Sequence, residues 1–250
     1  MGYISVNKKN IFYNSSGNGE PLILLHNGFY STETWDKLRK KFSKYYHVID
    51  YDRFGYGKSE KLTEALDGDI LKQGVEELSS LIEQLKLKNV NICGHCLGGA
   101  IALLYAAENK KNVKKLIAES VGYFSDTKLL LKTDMTFAPY DKIPDYLKKI
   151  LSRMHGNEYS KNLWEILRKY KSGYIMNPDY DITGKIRGID CPVFLINGDR
   201  DFYFDIEHIA KARKKIKNNR LWIAPNTGHD LHIELETDFS RNVLSFLGSK

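Results

Sequence analysis

The sequence predicts an α/β protein in which a mostly parallel sheet is flanked by helices. Short apolar runs alternate along the chain with segments whose apolar residues recur every three or four positions. This alternation is typical of strands that are connected by amphipathic helices. The length of 250 residues fits one domain with a full hydrophobic core, or one domain that carries a modest insertion.

Six apolar runs are predicted as strands, and most are bounded by polar or glycine-containing loops. In chain order the predicted strands are 21–26, 47–52, 89–93, 113–118, 191–197 and 220–224. The helical periodicity predicts helices over 34–42, 64–87, 100–107 and 231–247.

One interval breaks the alternation of strands and helices. Between Val121 and Asp190 no apolar run is typical of a buried strand, and only the helical fragments 146–154 and 163–170 stand out. We therefore expect residues 1–120 and 191–250 to form the core domain, and residues 121–190 to form a helical cap, or lid, over the strand ends. The alternative is that these helices pack against a flank of the core.

Composition and charge argue against nucleic-acid and membrane partners. Hydrophobic residues make up 42% of the chain and charged residues 28%, which is ordinary for a globular protein. The net charge of +7 comes from lysines spread along the chain, and the densest run, 211–217, has the spacing of a solvated helix face. No stretch approaches the ~18–20 apolar residues of a membrane-spanning helix.

The cysteine content favours a reducing compartment. Three cysteines, Cys93, Cys96 and Cys191, cannot complete a disulfide framework. The first ten residues lack the apolar centre of a signal peptide. We expect a cytoplasmic protein that is a monomer or a homodimer.

Residues 94–98, with the sequence Gly-His-Cys-Leu-Gly, match the motif G-x-S-x-G with cysteine in place of serine. The motif encodes a sharp strand-to-helix turn that exposes a nucleophile, and it needs small residues on both sides of that nucleophile. The turn places Cys96 at a helix N-terminus, where the helix dipole favours a thiolate. Cys96 is therefore the candidate nucleophile.

A base and an acid for this nucleophile follow the last two predicted strands. His229 comes after strand 220–224, at the sheet edge where Cys96 should also emerge, so His229 is the candidate base. Asp199 and Asp201 follow strand 191–197, and Asp201 is preferred as the group that orients the histidine. Three further histidines are expected on helices or at the surface: His155, His208 and His232.

A redox function is an alternative interpretation of the same segment, because Cys93 and Cys96 form a C-x-x-C motif. Such motifs usually follow a tryptophan, whereas Ile92 precedes this one, and the chain is more than twice the usual size of a thioredoxin domain. Cys93 is then expected to be a buried residue at the end of a strand.

From Pro21 to Leu247 the sequence resembles the α/β-hydrolase superfamily. The order nucleophile, acid, histidine is followed by Cys96, Asp201 and His229. The loop 26–29 resembles the oxyanion loop of the family, and 52–59 resembles its D-x-x-G-x-G-x-S loop. The body is most similar to esterases and haloperoxidases, whereas the cysteine elbow resembles that of dienelactone hydrolases.

The resemblance also implies an oxyanion hole. Its donors would be the backbone N–H groups of Leu97 and Gly28, with Phe29 as an alternative to Gly28. Asn27 stands where the family usually has glycine, so we expect the loop to present its donor differently. His26 is expected to support the loop rather than take part in the chemistry.

These residues predict a hydrolase that acts on an ester, thioester or lactone carbonyl through a Cys-His-Asp triad and a covalent acyl-enzyme. An acyltransferase that uses the same intermediate is the main alternative, because a thioester also reacts readily with amines and thiols. A ligand receptor without catalysis is a further alternative, although a complete triad argues against it. The expected partner is a small acyl substrate, and no metal or organic cofactor is implied. Residues predicted to contact the substrate are Phe29, His95 and Trp164.

Overall fold

A computed structural model describes residues 1–63, 69–170 and 174–248. Within them, eight strands form one sheet with the spatial order β1-β2-β4-β3-β5-β6-β7-β8. The two N-terminal strands pair antiparallel, and β3 to β8 run parallel, which confirms the predicted fold class. The strands are β1 (Gly2–Val6), β2 (Lys9–Ser16), β3 (Pro21–Leu25), β4 (His47–Tyr51), β5 (Val90–His95), β6 (Val113–Glu119), β7 (Val193–Gly198) and β8 (Asn219–Ala224).

The sequence pattern did not predict β1 and β2. They form a hairpin in which Val6 pairs with Lys9, across a turn whose residues Asn7 and Lys8 both have positive φ. Each strand buries only two side chains. Polar residues therefore interrupt the apolar pattern in both strands, and neither strand has an apolar run long enough to indicate a buried strand.

The predicted helices are present, with shifted boundaries. The one predicted over 64–87 begins at Ile70, where the Asp69 side chain accepts hydrogen bonds from the first turn; its predicted start at 64–68 lies outside the described residues. The one predicted over 231–247 is divided into α8 and α9. The helices are α1 (Asp36–Phe42), α2 (Ile70–Gln84), α3 (Leu97–Glu108), α4 (Thr127–Thr136), α5 (Asp145–His155), α6 (Asn157–Lys169), α7 (Ile206–Arg213), α8 (Leu231–Glu234) and α9 (Glu236–Gly248).

The sheet separates two hydrophobic cores. Side chains alternate along β3, so that Ile23 and Leu25 belong to one core, and Leu22 and Leu24 belong to the other. The first core holds α2 and α3, and the second holds α1 and α9. Because both faces are covered, the parallel strands read as continuous apolar runs, which is why they could be predicted.

Helices α4, α5 and α6 lie in the chain between β6 and β7, and none of the described residues of 121–190 adds a strand to the sheet. His155 at the end of α5 reaches the loops that follow β3 and β4: it accepts from Gly57 N at 3.0 Å and donates to Phe29 O at 2.7 Å. Tyr159 of α6 donates to Gly55 O at 2.9 Å. This segment thus contacts the carboxyl ends of the central strands.

Among the helices that the structure describes, none is long and apolar enough to cross a membrane.

Candidate active site

Cys96 lies at a sharp turn between β5 and α3, with φ 52° and ψ −114°. A β-carbon on Gly94 would lie 2.5 Å from Gly98 O, and one on Gly98 would lie 2.5 Å from Leu25 O. Neither position can therefore carry a side chain without moving backbone. This is the strand-turn-helix geometry that the motif predicts.

The structure pairs His229 with Asp201. His229 Nδ1 lies 2.9 Å from Asp201 Oδ2 and 3.1 Å from Oδ1. The same carboxylate accepts a hydrogen bond from Tyr203 N at 2.8 Å, which fixes its orientation. Asp199 instead accepts from Thr227 N at 3.2 Å and thus supports the loop that carries the histidine.

The charges around His229 favour an imidazolium. Burial opposes that charge, but Asp201 and Cys96 outweigh burial and raise the pKa of His229 well above its ordinary value. Burial also favours the neutral acid at Asp201, yet the adjacent His229 lowers the pKa of Asp201 below its ordinary value. The arrangement therefore suits a negative charge on Asp201 and a positive charge on His229.

Tyr174 contacts the cysteine and was not predicted. Its hydroxyl lies 3.8 Å from Cys96 Sγ and accepts a hydrogen bond from Gly122 N at 3.2 Å. Because burial, followed by the charge of Cys96, raises the pKa of Tyr174, the hydroxyl keeps its proton and can donate it to the sulfur. Tyr180, which packs edge-on against Tyr174, donates to Gly122 O at 2.7 Å and fixes the same backbone unit.

The loop after β3 is organised by the Asn27 side chain. Asn27 Oδ1 accepts hydrogen bonds from Phe29 N and Tyr30 N, both at 2.8 Å. The Phe29 N–H is thus already engaged, so of the two predicted donors Gly28 is the one this loop can offer. Gly28 is next to the elbow, because a β-carbon on it would lie 3.8 Å from Leu97 Cδ2.

His26 supports the same loop. Its Nδ1 donates to Asn27 O at 2.8 Å, and its Nε2 accepts from Arg53 N at 3.2 Å. The Arg53 guanidinium donates to the carbonyl oxygens of His26 and Asn27 at 2.7 Å and 2.5 Å. Burial lowers the pKa of His26 well below its ordinary value, so the ring is neutral, as these hydrogen bonds require.

A cavity of about 60 Å³ opens beside Cys96 and His229. It is also lined by Gly28 and Leu97, so that the candidate nucleophile, the candidate base and both residues predicted as oxyanion donors line one space. Much of the remaining wall is aromatic: Phe29, Tyr56, Phe137, Tyr170, Tyr174 and Tyr203.

Two of the three predicted substrate contacts need correction. Phe29 lines the cavity. His95 is fully buried, and its Nε2 donates to the carbonyl oxygen of His229 at 3.1 Å, so it lies beneath the histidine loop. Trp164 is almost fully buried behind Phe29, with ring centroids 5.3 Å apart. The sequence did not predict that His95 and Trp164 are screened from the cavity. A position beside the motif cysteine and an aromatic side chain do not indicate how deeply a residue is buried.

A buried cluster of three residues lies below the histidine loop: His95, Glu119 and His232. Their possible ligand atoms lie within 4.8 Å of one another, and among the described residues this is the group that could share a metal ion. His232 Nδ1 donates to Glu119 Oε1 at 2.9 Å, and its Nε2 lies 2.7 Å from Thr34 Oγ1. Both ring nitrogens of His232 are thus hydrogen-bonded, so we interpret the cluster as a polar network rather than a metal centre.

The other histidines are deeper than expected. His155, His208 and His232 lie in helices, as predicted, but all three are buried, so the surface alternative is wrong. Burial lowers the pKa of each to about 4, so all three are neutral.

Cys93 and Cys96 are free thiols on opposite sides of the sheet. Cys93 pairs with Leu24 in the sheet and packs in the core with α9, whereas Cys96 packs in the core that contains α3. Burial raises the pKa of the Cys93 thiol well above its ordinary value. This geometry argues against a redox pair, which needs its sulfur atoms about 2 Å apart when oxidised.

Comparison with known proteins agrees with the observed fold. A model of the alpha/beta hydrolase fold family matches residues 20–149. The serine hydrolase BPHL of Homo sapiens is 24% identical over 258 aligned residues, which cover 98% of this chain and 85% of the relative. The esterase EaEST from Exiguobacterium antarcticum superimposes with a TM-score of 0.78 at 22% identity, and covers all of both chains.

The α/β hydrolase MGS-M2, from a deep-sea metagenome library, superimposes with a TM-score of 0.83 at 23% identity, over 100% of this chain and 98% of that structure. The family match spans more than half of the 250 residues. The chain therefore belongs to the α/β hydrolase fold family and is an enzyme of the hydrolase class.

Proposed function

We propose that the enzyme cleaves an ester, thioester or lactone through an acyl intermediate on Cys96, with His229 and Asp201 completing the catalytic triad. The observation that carries this proposal is the shared cavity, which is lined by the elbow cysteine, by the histidine paired with Asp201, and by Gly28 and Leu97, whose N–H groups we propose as donors.

In the first step the Cys96 thiolate attacks the substrate carbonyl carbon, and the carbonyl electron pair moves onto oxygen. The backbone N–H groups of Leu97 and Gly28 stabilise that oxyanion. When the carbonyl reforms, the bond to the leaving group breaks, and His229 transfers its Nε2 proton to the departing oxygen or sulfur. A thioester to Cys96 remains.

In the second step a water molecule donates a proton to neutral His229 and attacks the thioester. Collapse of the second oxyanion releases the carboxylic acid, and the sulfur leaves as a thiolate. Asp201 holds Nδ1–H of His229 throughout, so that Nε2 faces the reacting atoms. Tyr174 donates to the same sulfur and stabilises it as attacking and leaving group.

Thiolate chemistry favours activated substrates. A thiolate leaves more readily than an alkoxide, so attack on a simple alkyl ester reverses more often than it proceeds. Thioesters, aryl or enol esters and lactones have leaving groups that compete with the thiolate. We propose these rather than alkyl esters as substrates.

Residues 121–190 are part of the proposal as a cap over the site. Their contacts with Phe29 O, Gly57 N and Gly55 O hold them against the loops after β3 and β4. In this position the segment forms one wall of the cavity, to which it contributes Phe137 and Leu167.

The nucleophile is tested by labelling and by substitution. Iodoacetamide should label Cys96 much faster than Cys191, because burial raises the pKa of Cys191 to about 11. Incubation with an aryl ester should give a protein whose mass increase maps to the peptide that contains Cys96. Cys96→Ala should abolish both signals.

Cys96→Ser is the matched variant, since the relative from Homo sapiens is named a serine hydrolase. We expect it to fold and to retain ester hydrolysis. Turnover by Cys96→Ala, or equal labelling of Cys96 and Cys191, would contradict the proposal. The rate at which the acyl-enzyme loses its acyl group is measured in water alone and with added thiols or amines. Rapid loss in water alone indicates hydrolysis, whereas loss that requires the added thiol or amine indicates acyl transfer.

A further inference from the structure

We infer that the acyl part of the substrate is short, apolar and uncharged, and that the leaving group occupies a second, more polar pocket. This inference rests on the function proposed above. It assigns the two sides of the scissile bond to two separate spaces that meet at His229.

The acyl side is identified by chemistry. The carbonyl oxygen must face the two backbone donors, and the carbonyl carbon must face Cys96. Gly28, Leu97 and Cys96 all line the 60 Å³ cavity, and none of them lines the second pocket. The substituent on the carbonyl carbon therefore extends into the smaller cavity.

Apart from the catalytic pair His229 and Cys96, the wall of this cavity offers no charged side chain to an acyl group. Among the described residues that line it, none is aspartate, glutamate, lysine or arginine. Its tyrosine hydroxyls are bonded to protein groups, which leaves the rings to face the cavity: Tyr56 donates to Gly28 O at 3.0 Å, and Tyr203 donates to Thr136 Oγ1 at 2.9 Å. A carboxylate on the acyl chain would lose its water without gaining a partner.

The volume limits the length of the acyl group. A water-sized group needs about 10–15 Å³ of such space, so the 60 Å³ cavity holds about four to six of them. This corresponds to a butanoyl-to-hexanoyl chain or a small ring. A fatty acyl chain does not fit unless the wall moves.

The leaving group has a different environment. The second pocket, of about 490 Å³, is lined by His229, which protonates the leaving group, and by the charged residues Asp230 and Lys142. Lys142 and Tyr146 are exposed, so this pocket opens to solvent. It accepts larger and more polar groups than the cavity does, and it gives water a path to the acyl-enzyme.

The test is a series of p-nitrophenyl esters from acetyl to dodecanoyl, measured as kcat/KM on the wild-type enzyme. We expect a maximum between butanoyl and hexanoyl and a fall of more than about tenfold at dodecanoyl, since one misfitting methylene costs about 10–200-fold. The hemisuccinyl ester should react at least about a hundredfold more slowly than the pentanoyl ester. A dodecanoyl optimum, or equal rates for these two esters, would overturn the inference.

Matched variants locate the effect. Leu167→Ala enlarges the cavity and should move the optimum to longer chains, whereas Met135→Ala in the second pocket should leave the optimum unchanged. If Leu167→Ala does not fold, the wild-type series still decides. Mass analysis separates the two levels of the argument: acylation of Cys96 by long or charged chains as fast as by the pentanoyl ester refutes this inference alone, and the absence of acylation by any ester refutes the proposed function.

Discussion

Replacing Glu119 by glutamine removes one buried carboxyl group and changes its shape very little. Glu119 is fully buried; its Oε1 accepts from His232 N and Nδ1, both at 2.9 Å, and its Oε2 has no partner among the described atoms. Burial raises its pKa from 4.5 to about 7. His95 and His229 oppose this shift, but burial outweighs them and keeps the pKa of Glu119 raised.

The sign and size of the effect follow from proton linkage. Below pH 4.5 both the folded and the unfolded chain carry the proton on Glu119. As the pH rises from 4.5 to about 7 the unfolded chain loses the proton first, so the free energy of unfolding falls. One pH unit corresponds to about 1.36 kcal/mol, so the full effect is about 3 kcal/mol.

Glutamine cannot ionise, so Glu119→Gln should not show this loss. Urea unfolding of both proteins at pH 5, 6, 7 and 8 should give a stability difference that moves in favour of the variant by about 2–3 kcal/mol. Glu77 and Asp50, whose pKa values burial raises to about 7 and about 6, remain in both proteins and cancel in the difference.

The exposed Glu108 at the end of α3 provides the control, because Glu108→Gln makes the same substitution at a solvated position. A stability difference for Glu119→Gln that is independent of pH would refute the reasoning. A difference of the opposite sign would mean that Glu119 is ionised and paired with a charged histidine in the folded protein.

The remaining predictions concern the reaction. Asp201→Asn should lower kcat by several orders of magnitude, with ~10⁴ as the serine-protease precedent, and Asp199→Asn should lower it much less; the reverse order would refute the assignment of the acid. Tyr174→Phe should raise the pH at which iodoacetamide labelling of Cys96 is half-maximal by about one to two units, because a hydrogen bond to a charged group contributes about 1.5–3 kcal/mol; an unchanged profile would show that the hydroxyl does not stabilise the thiolate. Cys93→Ala should keep most of the esterase activity and cost about 1–2 kcal/mol of stability in chemical unfolding; complete loss of activity in a folded variant would favour the redox alternative.

Much of the fold and of the site could be predicted, because the relevant signals are local. The parallel strands are buried on both faces and therefore appear as apolar runs. The elbow requires glycine at positions 94 and 98, since no β-carbon fits against the neighbouring backbone. The expectation that Cys96, Asp201 and His229 lie close together follows from a general rule, that parallel strands end at the same edge of the sheet.

Other features depend on tertiary contacts that no local pattern encodes. Tyr174 reaches Cys96 from 78 positions away along the chain. Glu119 and His232 are 113 positions apart and pair only because β6 and α8 meet below the histidine loop. The depth of His95 and Trp164 is likewise set by what covers them. The cap boundaries, the cytoplasmic location and the oligomeric state stay predictions.

The glycine contacts at the elbow couple catalysis to the cooperativity of folding. The turn at Cys96 is held by backbone packed against backbone, and α3 is buried continuously from Leu97 to Ala106. Its amide protons should therefore exchange with solvent only when the whole domain opens. We therefore expect the elbow to unfold only together with the whole domain. On heating, the enzyme should keep full reactivity up to the temperature at which the domain unfolds and should lose it there.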